Sequence, residues 1–170
     1  MEASDPSVLL AGDPDDDVVG APAGAVILRI AGSRYAVEMA AVAEVVPVPT
    51  VTRVPGAPGW LRGVVNWRGR VLAVVDLRPL VGAAIDPLPT SARLVVLSDG
   101  EVEVGLLADG VPGLLEWAPG DLQPMPATAS SGMAALLRGV VDFEGPVALL
   151  DAAAVVALRS QLRSPRSAGF

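Results

Sequence analysis

The sequence contains no cysteine, no lysine and no histidine, and its twelve basic residues are all arginine. Without cysteine the chain can form neither a disulfide nor a thiolate metal site. Without histidine it lacks an imidazole base and a histidine zinc site, and without lysine it lacks a Schiff base and the lysine of a phosphate-binding loop. Any chemistry must therefore rest on carboxylates, hydroxyls, arginines and the backbone.

Aromatic residues and long apolar runs are also scarce. Aromatics make up only 4% of the chain, so the core must be aliphatic, although hydrophobic residues make up 52%. No apolar run approaches the roughly 18 residues of a membrane helix. The acidic start, MEASDP, lacks the positive region of a signal peptide. These features favour a cytoplasmic protein.

Charge is distributed unevenly along the chain. Acidic residues number 19 against 12 arginines, but six of the acids lie before residue 18. We expect residues 1–24 to form an acidic disordered tail and residues 159–170 a flexible tail. Beyond the acidic tail 13 acids face 12 arginines, so the body is near neutral. It has no basic stripe, and we expect no nucleic-acid partner and no membrane insertion.

From Val26 onward, short apolar stretches alternate with Gly, Pro or Asp every eight to twelve residues. This spacing is typical of an all-β fold with short helices. Hairpin turns are predicted at residues 31–33, 66–69 and 98–100, where glycine or small polar residues separate apolar runs.

The two halves of the chain contain an internal repeat. The segment WLRGVVNWRGRVLAVVDL from Trp60 aligns with LLRGVVDFEGPVALLD from Leu136, and the opening hairpins of the two halves also match. Each unit is too small to bury a large core alone, so the repeat predicts two similar five-stranded barrels that share apolar surface. The aligned pairs are Arg62 with Arg138, Gly63 with Gly139, Gly69 with Gly145 and Asp76 with Asp151.

Arg68 lies in a predicted turn where the other repeat has Glu144, so the turn itself does not require arginine. Two interpretations stay open: a solvated turn charge, or an arginine that faces a partner or a carboxylate such as Glu44. Trp67 beside it has the composition of an interface hot spot, and the alternative is a residue that caps the barrel end.

An enzyme would need a carboxylate pair, such as Asp76 with Glu44 or Asp142 with Glu144. The matching positions of Asp76 and Asp151 instead favour a structural role in both repeats. We predict no catalytic, cofactor or metal site, and a carboxylate hydrolase remains the weaker alternative.

Residues 54–78 resemble the CheW family, the chemotaxis coupling proteins. The resemblance rests on the NWRG segment, on the apolar strand that ends in DLR, and upstream on RYAVEMAAVAEVV, which is similar to the family's Tyr-Gly-Val-Asp and Val-x-Glu segments. It extends over about residues 26–158.

The resemblance implies a CheW-like domain at residues 25–158, built from two intertwined five-stranded, Src-homology-3-like barrels. Its first lobe would cover about residues 25–82 plus a C-terminal return, and its second about residues 92–150. It also implies a non-catalytic scaffold that joins a chemoreceptor's coiled-coil tip to the regulatory domain of a CheA-type histidine kinase, with no cofactor. A module that binds only the kinase, or a divergent partner in a non-motility pathway, is the alternative.

The resemblance assigns partner-binding roles to particular positions. The family's Glu and Arg form an ion pair, so we expect Glu44 to approach Arg68. Trp67 stands where the family usually has leucine, which points to an altered partner surface. The expected partner-binding residues are Val42, Glu44, Gly63, Trp67, Arg68, Gly105 and Val111.

Overall fold

The computed structural model describes residues 22–84, 87–127 and 131–163, and these ranges are mostly β-structure. Most of the two predicted tails, residues 1–21 and 164–170, lies outside the described residues.

Ten strands form within these ranges, and each predicted hairpin is present. The first predicted turn, at residues 31–33, agrees with the observed end of one strand at Ile30 and start of the next at Ser33, because the turn glycine locates the hairpin. The strands are β1 Ala23–Ile30, β2 Ser33–Glu38, β3 Val42–Pro47, β4 Leu61–Trp67, β5 Arg70–Val75, β6 Arg93–Ser98, β7 Glu103–Ala108, β8 Gly110–Trp117, β9 Leu137–Asp142 and β10 Pro146–Leu150.

The described helices are short, as predicted for an all-β chain. The α-helices are α1 Ser131–Ala134 and α2 Ala152–Ala157, and the 3₁₀ segments are Met39–Ala41, Arg78–Val81, Pro119–Asp121 and Leu158–Arg163. Asp151 is the N-cap residue of α2, and its carboxylate accepts a hydrogen bond from the backbone N–H of Ala154 at 3.3 Å.

The strands form two five-stranded sheets. Sheet I has the order β8-β1-β2-β10-β9, and sheet II has the order β3-β6-β7-β5-β4. Neighbours are antiparallel except for the β2–β10 and β5–β7 pairs, which are parallel. The all-β, two-barrel prediction is confirmed.

The strands are divided between the sheets differently from the lobe ranges expected from the resemblance. Sheet I combines β1 and β2 with β8, β9 and β10, whereas sheet II combines β3, β4 and β5 with β6 and β7. The first repeat unit contains β1 to β5, and the second contains β6 to β10. Each sheet combines the opening hairpin of one unit with the remaining three strands of the other. The two units have exchanged their first hairpins.

The aligned turns share their backbone geometry. Arg68 and Glu144 both have a φ of 53°, and a glycine with positive φ follows each of them. Asn66 Oδ1 accepts a hydrogen bond from the N–H of Gly69 at 3.1 Å, and Asp142 Oδ1 accepts one from Gly145 at 3.1 Å. The internal sequence repeat is therefore also a structural repeat at these turns.

The largest apolar cluster lies between the two sheets. It contains residues of β1 and β2 from sheet I, residues of β5, β6 and β7 from sheet II, and Val155 and Val156 of α2. Two smaller clusters, one for each sheet, complete the core. The barrels thus share apolar surface, and the core is mainly aliphatic because the chain offers few aromatic rings.

Candidate functional site

The loop between β4 and β5 is a tight two-residue turn. Trp67 pairs with Arg70 at its base, which leaves Arg68 and Gly69 as the loop residues, both with positive φ. A primed turn of this kind requires positive φ at both central positions, which glycine tolerates and arginine adopts at a cost. Trp67 belongs to β4, so the turn is shorter than the four residues predicted.

Arg68 and Glu44 form the expected ion pair, in which Arg68 Nη2 donates a hydrogen bond to Glu44 Oε1. Glu44 lies on β3 and Arg68 follows β4, the two outer strands of sheet II. The pair therefore bridges the two edges where the sheet curls on itself. With side chains 66% and 36% exposed, such a pair contributes at most about 1 kcal/mol to folding.

The ring of Trp67 stacks against the guanidinium of Arg68. The guanidinium carbon of Arg68 lies 4.9 Å from the centroid of the Trp67 ring, within cation–π range. The ring is half-buried and also packs against the apolar cluster of sheet II. Trp67 therefore both packs against the barrel and forms part of the surface beside Arg68.

Gly63 and Gly105 lie inside sheet II and not on its surface. A Cβ at Gly63 would lie 2.3 Å from the carbonyl oxygen of Thr52, and one at Gly105 would lie 2.7 Å from Cδ1 of Leu94. Both positions need glycine because a neighbouring chain segment or side chain fills the space. A substitution at either would act on packing first.

Val42 and Val111 are half-buried and pack against the core shared by the two sheets. Val42 begins β3, two residues before Glu44, whereas Val111 lies on β8 of sheet I. The structure therefore brings Glu44, Trp67 and Arg68 into contact, and it places Gly63, Gly105 and Val111 elsewhere.

Asp76 is buried, with 1% of its surface exposed. It accepts hydrogen bonds from the backbone N–H of Arg78 at 3.1 Å, from Arg78 Nε at 3.0 Å and Nη2 at 2.8 Å, and from Arg62 Nη1 at 3.3 Å. Burial disfavours the charged form, but the hydrogen bonds and charges of these arginines outweigh it and lower the pKa of Asp76. Asp76 holds the end of β5 to the start of β4.

Asp76 and Glu44, one carboxylate pair that an enzyme could have used, are not brought together. Glu44 is paired with Arg68, and Asp76 is the only carboxylate that lines its pocket of about 460 Å³. Glu101 and Glu103 share another pocket, of about 220 Å³, but Glu103 is ion-paired with an arginine that also lines it. Within the described ranges, no group of three or more acidic side chains is arranged to hold a metal ion.

Sheet I carries an ion pair that was not predicted from the sequence. Arg138 Nη1 lies 2.8 Å from Glu38 Oε1, and its guanidinium carbon lies 5.2 Å from the centroid of the Trp117 ring. The repeat already indicated Arg138 as the counterpart of Arg62. It could not indicate Glu38, because the counterpart of Asp76 is Asp151, which caps α2 instead.

The fold and this site define a double-barrel module whose exposed ionic cluster sits at a hairpin turn. Residues 24–160 match the family model of the CheW-like domain. The chain belongs to the CheW family, and it is a CheW-like scaffold of chemotaxis-type signalling.

Named relatives agree with this assignment. Protein PilI of Pseudomonas aeruginosa is 30% identical over 69% of this chain and 66% of its own length. The chemotaxis protein CheW of Rhizobium meliloti is 32% identical over 71% of this chain and 77% of its own length. The crystal structure of the scaffolding protein TtCheW from Thermoanaerobacter tengcongensis has a TM-score of 0.69 at 21% identity, covering 76% of this chain and 84% of that one, which shows the shared fold.

No helix in the part of the chain that the structure describes is long and apolar enough to cross a membrane.

Proposed function

We propose that this chain acts in the cytoplasm as a non-catalytic adaptor between two proteins. One partner is the cytoplasmic coiled-coil tip of a chemoreceptor, and the other is the regulatory domain of a CheA-type histidine kinase. Both assignments come from the family, whose coupling role requires two separate surfaces that are occupied at the same time.

One observation supports the receptor contact most directly. The exposed guanidinium of Arg68 is held between Glu44 and the Trp67 ring, so its position is set before a partner arrives. A side chain held in place loses less conformational entropy on binding. The pair contributes little to folding because it is exposed, which supports a role in binding.

Trp67 favours a partner that differs from the usual receptor or kinase. A half-exposed tryptophan offers a larger flat apolar surface than the leucine usual in the family. The second candidate function is therefore a module whose partner belongs to a divergent, non-motility pathway.

The first test is a calorimetric titration of the full chain with the regulatory domain of the CheA-type kinase from the same source. Saturable binding of about −8 kcal/mol, a micromolar dissociation constant, would support the adaptor role. A complete lack of binding to such kinases would contradict it and favour the divergent partner.

The second test compares Arg68 and Arg70, two arginines of the β4–β5 hairpin that are separated by Gly69. Arg68→Glu places like charge against Glu44, and we expect it to weaken binding of a receptor-tip hairpin by about tenfold while the melting temperature changes little. Arg70→Glu is the matched control, because Arg70 is equally exposed and paired with Glu103. Equal losses in both variants would contradict a specific role for Arg68.

The double variant Glu44→Arg with Arg68→Glu separates two explanations. It restores an ion pair with reversed polarity. If Arg68 contacts the receptor itself, binding stays weak; if the pair only holds the turn in place, binding returns.

A further inference from the structure

Half of the arginines whose side chains the structure describes have a carboxylate partner, and half do not. Arg29, Arg53 and Arg159 have no carboxylate within ion-pair distance, and Arg34 and Arg93 donate only to backbone carbonyls. Two of these five arginines, Arg29 and Arg93, line the same pocket. The arginines with carboxylate partners are Arg62, Arg68, Arg70, Arg78 and Arg138.

This pocket lies where the two sheets meet and has a volume of about 410 Å³. Strands β1 and β8 of sheet I form one side, and strands β3 and β6 of sheet II form the other. Its walls combine the two arginines with a hydroxyl and with apolar side chains. These lining residues are Arg29, Arg93, Ser91, Val45, Val111 and Pro112.

Strand β8 has a bulge next to Arg29. The register of β1 against β8 shifts from Ile27 opposite Gly113 to Arg29 opposite Gly110, so two residues of β8 face one residue of β1. Bulges of this kind redirect neighbouring side chains. Gly110 lies under the guanidinium, since a Cβ there would be 3.1 Å from Arg29 Nη1.

No carboxylate faces this pocket from the described neighbours. Asp109, which precedes Gly110, accepts a hydrogen bond from Ala31 N–H at 2.9 Å with Oδ2, and its Oδ1 lies 3.9 Å from Arg78. Glu44, which precedes Val45, is paired with Arg68. Ser91 already donates its hydroxyl hydrogen to the Asp109 carbonyl at 2.7 Å. The uncompensated charge of the pocket is therefore positive.

We propose that this pocket binds a carboxylate side chain from an acidic segment of a partner protein. Arginine forks match carboxylates in geometry and charge. The walls formed by Val45, Val111 and Pro112 would contact an aliphatic part of the same segment. Nucleic acid does not fit this pair of arginines, because the chain beyond residue 24 is near neutral and has no basic stripe.

This inference deepens the proposed function and rests on it only for which partner carries the acidic segment. Val111, one of the expected partner-binding residues, lines the pocket. The charge recognition itself follows from Arg29 and Arg93, and it can be measured without the receptor or the kinase.

The test is a nuclear magnetic resonance titration of the full chain with a blocked tetraglutamate peptide at about 0.05 M salt, where surface charges are only partly screened. We expect saturable shifts at the amides of Gly110, Val111 and Arg29. Arg29→Gln and Arg93→Gln should each weaken binding about fivefold or more. Arg53→Gln, an exposed arginine without a carboxylate partner, is the matched control and should change binding less than about twofold.

Three results would overturn the proposal. If Arg53→Gln weakened binding as much as Arg29→Gln and Arg93→Gln, the attraction would be non-specific. If a tetraglutamine peptide bound as tightly as tetraglutamate, the carboxylate would not be recognised. If inorganic phosphate bound as tightly as tetraglutamate, the pocket would be a site for small anions. Because the titration uses neither natural partner, its failure would leave the kinase titration unaffected, and failure of the kinase titration would leave this result unaffected.

Discussion

At the scale of single residues, Asp76 shows how a buried carboxylate is stabilised in its charged form. Its carboxylate accepts hydrogen bonds from two arginines and from a backbone N–H, so its burial is compensated by partners. Removing one side of such a group leaves the other charges buried without compensation. Its repeat counterpart, Asp151, is less buried and caps a short helix.

We expect Asp76→Asn to lower the free energy of unfolding by about 3–5 kcal/mol, because the buried Arg78 loses the charged carboxylate to which it is hydrogen-bonded. Asp151→Asn is the matched control, and it should cost less than about 1 kcal/mol because asparagine also caps helices. Urea unfolding followed by circular dichroism measures both. Similar small losses in the two variants would show that the Asp76 charge contributes little.

The pH dependence of stability follows from the same residue. The pKa of Asp76 is lowered on folding from its ordinary value of 3.8. Its contribution is therefore complete above that value and is lost as the pH falls through the folded pKa, because the unfolded chain binds the proton first. Unfolding midpoints measured from pH 7 to below pH 3 should fall more steeply for the wild type than for Asp76→Asn. Parallel curves would contradict this assignment.

At the scale of elements, the aligned strands β4 and β9 each contain one glycine that a neighbouring segment touches. A Cβ at Gly139 would lie 2.4 Å from the carbonyl oxygen of Gln123, as one at Gly63 would lie 2.3 Å from that of Thr52. The preceding segments pair with the strands at these points through Thr52–Val64 and Gln123–Val140 bridges. The repeat therefore conserves a close approach of two backbones.

We expect Gly63→Ala and Gly139→Ala each to destabilise the protein by about 2–4 kcal/mol, because the two carbonyl oxygens belong to backbone that cannot move without breaking the bridge. Gly113→Ala on β8 is the control, since its Cβ would meet no atom within 4 Å, and it should change stability by less than about 1 kcal/mol. Thermal unfolding measures all three. A Gly63→Ala variant as stable as the control would show that the Thr52 segment shifts freely.

Hairpins were predictable because their signals are local: an apolar alternation interrupted by a turn glycine. The β1–β2 and β4–β5 hairpins therefore lie within a few residues of their expected positions. The parallel β2–β10 and β5–β7 pairs join residues far apart in sequence, and no local pattern encodes such pairing. The Glu44–Arg68 pair came from the family resemblance, whereas the Arg29 and Arg93 pocket depends on how two sheets meet and left no trace in the sequence.

At the scale of the whole molecule, the exchange of opening hairpins makes each barrel depend on both repeats. Sheet I loses two of its three inner strands without β1 and β2, and sheet II loses two of its three without β6 and β7. The largest apolar cluster also lies between the sheets and draws residues from both halves. Each barrel therefore needs strands from both halves of the chain, and the two barrels share one apolar cluster.

This arrangement predicts that neither half folds alone. We expect fragments 1–84 and 85–170 to give poorly dispersed amide spectra separately and to recover a folded spectrum when mixed, because each supplies the hairpin that the other lacks. The intact chain should unfold in one transition, with the same midpoint by circular dichroism and by tryptophan fluorescence. If one fragment folded alone with its own cooperative melting transition, its opening hairpin would have closed onto its own unit. The exchange of opening hairpins would then be dispensable for folding.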